Sequence, residues 1–362
     1  MALRVQQTQQ EIDKAKQDLR HFCILGSVPD VSNALASVPA EDLQAACTQL
    51  DAASSSVLHL AAQHGHLTLL QALLQKRCCP NHLDGHGRTA MHVASLEGLS
   101  ELVYELLVAQ CDANTRDTMQ ETALHKAVLA DNNDVLQVLL QSGMADATLA
   151  NTTGCTPALL AAETGRVGCL QMLLESDPSL SNARSMSGWT PLHLAAHGCQ
   201  YAKKITIAKP PRFLACAKLL VEAKAELEAK DEDSQTPLHR SAATGNLETA
   251  TFLIESGANV RAADICRWTP LHYACEHGHV KMVQLLCKAK AEVQTAAPSC
   301  LTPLAVAVSE NQVKVAEVLV AAGADPDLRA SGMASPAMMA RQDRERHADI
   351  LALFEIGFVR HH

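Results

Sequence analysis

Seventeen histidines and thirteen cysteines stand in this chain of 362 residues, and such side chains could bind zinc, act as general bases or supply thiolate nucleophiles. Each chemistry makes a demand on spacing. A zinc site needs three or four converging ligands, and Cys78-Cys79, the one adjacent pair, has no Cys-x-x-Cys spacing near it. A nucleophile needs one oriented base, whereas here the same local context recurs at His59, His92, His125, His193, His239 and His272. A base repeated for structural reasons is poor evidence for an active site. No G-x-S-x-G, phosphate-binding loop or glycine-rich dinucleotide fingerprint occurs. The residues therefore predict no catalytic centre, no metal and no cofactor. Most cysteines, such as Cys169, Cys216, Cys275 and Cys287, take places that other copies of the pattern fill with Ala, Leu or small residues. That usage fits small buried hydrophobes in a reducing compartment.

The histidines recur because the element that positions them recurs. Thr190-Pro191-Leu192-His193, Thr236-Pro237-Leu238-His239 and Thr269-Pro270-Leu271-His272 are the clearest copies of a tetrad that returns every 33 or 34 residues, with one longer gap. Weaker copies begin at Ser56, Thr89, Thr122, Thr156, Thr302 and Ser335. The Thr suits a helix N-cap, and Pro suits the first helical position because it has no amide hydrogen to lose there. A second segment follows, with Val135, Val138, Leu139 and Leu140 at helical spacing in the copy after Thr122. Gly143 closes it, as Gly257 and Gly323 do later, because a left-handed residue past a helix end costs least as glycine. The unit reads as helix, turn, helix and hairpin-like loop, a piece that buries its apolar face only against its neighbours. Aromatic residues make up 3% of the chain, so the core is aliphatic and rich in Ala.

These motifs resemble the ankyrin repeat. Thr269 to His279 is a nearly complete T-P-L-H-x-A-A-x-x-G-H element, and Gly257-Ala258-Asn259-Val260 matches the repeat's tail. The resemblance implies an all-α ankyrin solenoid of nine to ten helix-turn-helix repeats joined by β-hairpin-like loops. It also implies that the tetrad histidines are structural, hydrogen-bonding toward adjacent hairpins. The expected organisation is an N-terminal helical extension or cap over residues 1–16 and a single repeat domain over 17–362. That domain would carry an insertion at about 199–212 and a charged capping repeat at about 335–362. Val5, Thr8, Ile12, Ala15, Leu19 and Phe22 follow a heptad too short for a coiled coil, so a cap is preferred to a dimerisation helix.

By the same resemblance the function is non-enzymatic protein recognition, a scaffold or adaptor using the concave face of hairpin tips and inner-helix ends. The positions that the family leaves variable there hold large apolar residues: Leu96, Met119, Leu129, Met186, Trp189, Ile265, Trp268 and Leu301. Trp in particular is enriched in binding hot spots. The longer gap, from Thr190 to Thr236, places Tyr201, Lys203, Lys204, Lys209 and Arg212 in an insertion with no acidic residue. It suits an acidic partner, and the alternative function is a structural or regulatory subunit docking through it; an enzyme with a cryptic site is the last and least favoured alternative. Asn81, Asn114 and Asn182 precede their tetrads by eight residues; the resemblance makes them candidates for asparaginyl hydroxylation, beside the plainer reading of a turn-favouring Asn.

Composition narrows the partner. A net charge of -9 gives no general attraction to nucleic acid or anionic lipid. No apolar run is long enough to span a bilayer, and the first twenty residues are polar where a signal peptide is apolar. The expectation is an intracellular protein, cytoplasmic with the nucleus as alternative, acting as a monomer or as a subunit of a hetero-complex with one or more proteins.

Overall fold

The computed structural model describes residues 2–36, 38, 47–198, 212–295, 301–329 and 334–359, with side chains from residue 13 to residue 355 of these. Every tetrad opens a short helix that is followed by a second one. The pairs are Val57–Gln63 with Leu67–Gln75, Ala90–Glu97 with Ser100–Val108, Ala123–Leu129 with Asn133–Gln141, and Pro157–Thr164 with Val167–Ser176. They continue as Pro191–His197 with Phe213–Glu222, Pro237–Thr244 with Leu247–Glu255, Pro270–Glu276 with Val280–Lys288, Pro303–Ser309 with Val313–Ala321, and Pro336–Gln342 with Ala348–Val359. Helices Ala2–Leu25 and Val28–Ala36 precede them, the first running unbroken past residue 16. The fold is an all-α repeat solenoid. No helix among the described residues is long and apolar enough to cross a membrane.

The helices sort into two compact units, Met1–Ala161 with Gly168–Leu180, and Ala162–Val167 with Ser181–His362. Each has its own aliphatic core. In the first, Leu58, Ala61, Met91, Ala94, Leu124 and Ala127 of the inner helices are fully buried beside Leu70, Leu106 and Leu139 of the outer ones. In the second, Leu192, Ala195, Leu238, Ala242, Leu271 and Ala274 play that part beside Leu220, Leu253 and Leu286. Alanine at alternate layers lets short helices approach closely, and each leucine layer removes from water the apolar area that a single two-helix piece could not hide. Cys169, Cys216 and Cys275 are buried in these layers and Cys287 half-buried, the small-hydrophobe role that their positions predict.

Among the described residues the loop before the tetrad is a tight turn. Asp117 N donates to Glu121 O (3.0 Å) and Gln120 N to Asp117 O (2.8 Å), and the same two bonds close Asp231–Gln235 and Asp264–Trp268. The residue two before the Thr has a left-handed backbone: Gly188 at φ 74°, with Ser234 and Arg267 accepting the same conformation at 60° and 65°. At Gly188 a side chain would also press within 3.1 Å of the Glu232 backbone nitrogen, so the next turn sits directly on it. No β-strand forms among the described residues.

Candidate functional site

The tetrad histidines come first, since their chemistry was the strongest rival to a purely structural reading. His239 illustrates all six: Thr236 N donates to its Nδ1 (3.0 Å), with Thr236 Oγ1 at 2.9 Å, and its Nε2 lies 3.1 Å from Trp268 O in the next loop. A carbonyl oxygen only accepts, so Nε2 carries the proton and Nδ1 is the acceptor that caps the helix. The other five reach Arg88 O, Glu121 O, Cys155 O, Gln235 O and Leu301 O at 2.7–3.0 Å. Burial pushes all six imidazoles below their usual range, only partly opposed by the carbonyl bond, and His193, His239 and His272 fall to about 4. Both ring nitrogens are committed, which leaves no lone pair for a metal or a substrate proton. The turn histidines follow suit: His66 Nε2 donates to Ile24 O (3.0 Å) and His279 Nε2 to Ala243 O (3.1 Å). Among the described residues no group of three or more His, Cys, Asp or Glu could hold a metal ion.

The insertion leaves this ladder intact. His193 reaches Gln235 O at 2.9 Å across 42 residues, where His239 reaches its own acceptor across 29. In sequence the extra residues fall between the inner helix ending at His197 and the outer helix starting at Phe213. Arg212 is exposed, and its backbone N–H donates to Gly165 O (3.3 Å). Tyr201, Lys203, Lys204 and Lys209 lie outside the described residues.

A second ladder was missed in the sequence. Five residues before the tetrad Thr stands Asp84, Asp117, Asn151, Ser185, Asp231 or Asp264, and its side chain accepts the turn's backbone N–H groups. Asp117 Oδ1 takes Met119 N (2.8 Å) and Glu121 N (2.9 Å), and Asp264 Oδ1 takes Trp268 N (2.7 Å). At Asp117, Asp231 and Asp264 the remaining oxygen is met by a long polar side chain four residues after the Thr, on the inner helix, whereas Asp84 pairs with Arg88 of its own turn. Lys126 Nζ lies 2.6 Å from Asp117, Tyr273 Oη donates to Asp264 Oδ2 (2.8 Å), and Arg240 pairs with Asp231. Burial opposes ionisation of Asp117, but Lys126 and the turn amides hold its carboxyl below the usual range. Burial and the Asp264 bond push the Tyr273 phenol up. The five-residue offset from Thr was the signal that could have revealed the aspartates, and Lys, Arg or Tyr in place of Leu or Val the one for their partners.

In the second unit these ladders build a continuous surface. The three turns are joined by backbone bonds, Glu232 N to Ser187 O (3.2 Å) and Ile265 N to Asp233 O (2.9 Å). Trp189 is half-buried, with the Arg240 guanidinium 4.2 Å from its ring and the His197 ring 5.3 Å away. Trp268 packs against Tyr273 at 5.3 Å and His272 at 5.6 Å. Gln235 Nε2 donates to Tyr273 Oη (2.9 Å). The indoles thus lie on neighbouring inner-helix side chains, while Met186 (70% exposed) and Ile265 (69%) project beyond them. Leu301 is half-buried and lends its carbonyl to His272.

In the first unit Met119 is 55% exposed at its turn and Leu96 39% exposed at an inner-helix end, while Leu129 is half-buried. Leu96 borders a cleft of about 90 Å³ shared with His59, Gln63, Asp84 and Arg88, room for little more than one short side chain. Tyr104 and Val108, one helical turn apart on the outer helix, are exposed on a face that the sequence reading did not consider. The three asparagines act as struts: Asn81 Oδ1 accepts Asp112 N (2.8 Å), Asn114 Oδ1 accepts Asp146 N (2.8 Å) and Asn182 Oδ1 accepts Glu226 N (2.9 Å).

Comparison with known families returns the model described as ankyrin repeats (three copies), which matches residues 40–117, 58–151, 94–184, 124–209, 180–264, 205–297 and 264–330. Among curated proteins none matches the chain.

Proposed function

The chain belongs to the ankyrin-repeat family, whose repeats are protein-interaction modules, and from that premise we propose a non-enzymatic scaffold or adaptor that recognises partner proteins. The recognition surface is the face of turns and inner-helix ends in the second unit, with Met186 and Ile265 as apolar anchors over the layer of Trp189, Arg240, Trp268 and Tyr273. The observation that carries this reading is the pair of long, exposed apolar side chains on turns whose backbones are bonded to a common central turn. Exposed apolar residues on a rigid base cost little ordering entropy when a partner covers them. Leu96 and Met119 offer a smaller contact on the first unit.

The test is affinity capture from native extract with the wild type and with a Met186→Asp/Ile265→Asp double variant, followed by affinity measurement on each captured protein. Recognition through this face predicts at least a tenfold loss for the principal partner, with circular dichroism unchanged, as for hot-spot anchors. If every captured protein binds the variant at wild-type affinity, the face is not the one used. Deleting residues 200–211 in parallel separates the alternative of a subunit docking through the basic insertion, which calls for a salt-sensitive loss of an acidic partner.

A further inference from the structure

The start of the first unit holds thiol chemistry that the recognition surface does not use. Cys47 and Cys78 are both buried, and their sulfur atoms lie 3.6 Å apart, within hydrogen-bonding reach. Each is fixed through its backbone. Cys47 O accepts Val57 N (2.9 Å) at the head of the first inner helix, and Cys78 N donates to Leu73 O (3.3 Å) at the end of the outer one. The two thiols, 31 residues apart in sequence, therefore clasp the first helix pair from its two ends.

We propose that Cys47 and Cys78 are a dithiol that peroxide oxidises to an intramolecular disulfide, locking the first helix pair to the segment in front of it. The Cys78 thiolate attacks the O–O bond of hydrogen peroxide; a sulfenic acid forms at Cys78, and the second oxygen leaves as water with the proton that the thiol gave up. Cys47 sulfur then attacks the Cys78 sulfur, the S–O bond breaks, and the departing oxygen leaves as water with the proton of Cys47. Two thiols are oxidised by two electrons in all, and one peroxide is reduced to two waters; a dithiol reductant reverses the result. Either sulfur can donate across the contact; with Cys47 donating, that bond and nearby Lys76 hold the Cys78 thiol below the usual range while the bond and burial raise Cys47, which makes Cys78 the attacking sulfur. Closing the bond brings the sulfurs about 1.5 Å nearer.

The experiment treats the folded full-length protein with hydrogen peroxide, blocks free thiols with N-ethylmaleimide and maps peptides by mass spectrometry without reduction. A Cys79→Ser background removes the exposed neighbour that shares the same peptide. The expected result is a Cys47–Cys78 cross-link, abolished by dithiothreitol, formed in higher yield than in urea-unfolded protein, and accompanied by a rise in Tm that Cys47→Ala does not show. Maleimide-labelled Cys47 and Cys78 after peroxide has oxidised exposed thiols would overturn the proposal. So would a cross-link yield no greater in the folded than in the unfolded chain, a comparison that depends on no variant folding.

Discussion

At the residue scale the histidines carry a definite energetic role. Each tetrad imidazole satisfies a helix N-terminus through Nδ1 and a neighbouring loop through Nε2; removing that of His239 leaves the buried Thr236 amide without its acceptor, while Trp268 O keeps its bond from Asp264 N. His239→Ala is expected to destabilise the second unit by about 1–3 kcal/mol, the cost of one orphaned buried amide. Trp189 and Trp268 are the only two tryptophans and both belong to that unit, so urea unfolding followed by indole fluorescence isolates the effect. A loss under half a kcal/mol would mean that water replaces the imidazole. Asp264→Ala should cost less, about 1–2 kcal/mol, because its groups are closer to solvent, and it should release Tyr273 from its phenol bond. The histidine role was legible in the sequence because identical residues at a fixed offset must meet identical surroundings. The covering of Trp189 by Arg240 was not, since it joins side chains of successive repeats whose meeting depends on how the turns stack.

At the element scale the repeat was readable and its accessory ladder only partly so. Periodicity, the Thr cap and the closing glycine each name a local backbone state, and those states fix two helices and a turn without reference to the rest of the chain. What lies between repeats needs the stacking itself: the asparagine struts and the backbone bonds from turn to turn link groups that no local rule brings together. The same reasoning predicts a scaffold that folds without the insertion. His193 bonds to Gln235 O as its counterparts bond to theirs, and Arg212 returns the chain to Gly165. Removing residues 200–211 with a short glycine-serine bridge is expected to shift Tm by no more than about 2 °C, because loop length enters stability only logarithmically. A larger drop by calorimetry would show that the inserted residues pack on the second unit, and the docking role would then have to be tested by point substitutions of the lysines.

At the scale of the whole molecule the repeated junction becomes a property of the fold, because six imidazoles are buried in their neutral form by the same device. In the unfolded chain each titrates near pH 6.5. The folded values are depressed, to about 4 at His193, His239 and His272, so between these limits the unfolded state binds more protons. Stability is then fully present above about pH 6.5 and declines as the pH falls through that window, by up to about 1.4 kcal/mol per pH unit for each histidine. Aspartates held low by turn amides and cations, Asp84 and Asp117, add a loss only below their ordinary range. The two causes therefore separate on the pH axis. Urea midpoints of the indole transition should fall steeply between pH 6.5 and pH 4.5, before Asp84 and Asp117 protonate. Replacing His272 with Gln should flatten that slope by roughly a third, since one of three strongly shifted imidazoles in the second unit is gone. A midpoint that stays level to pH 4.5 would mean that these histidines admit a proton while folded, and that the loop carbonyls tolerate a charged ring.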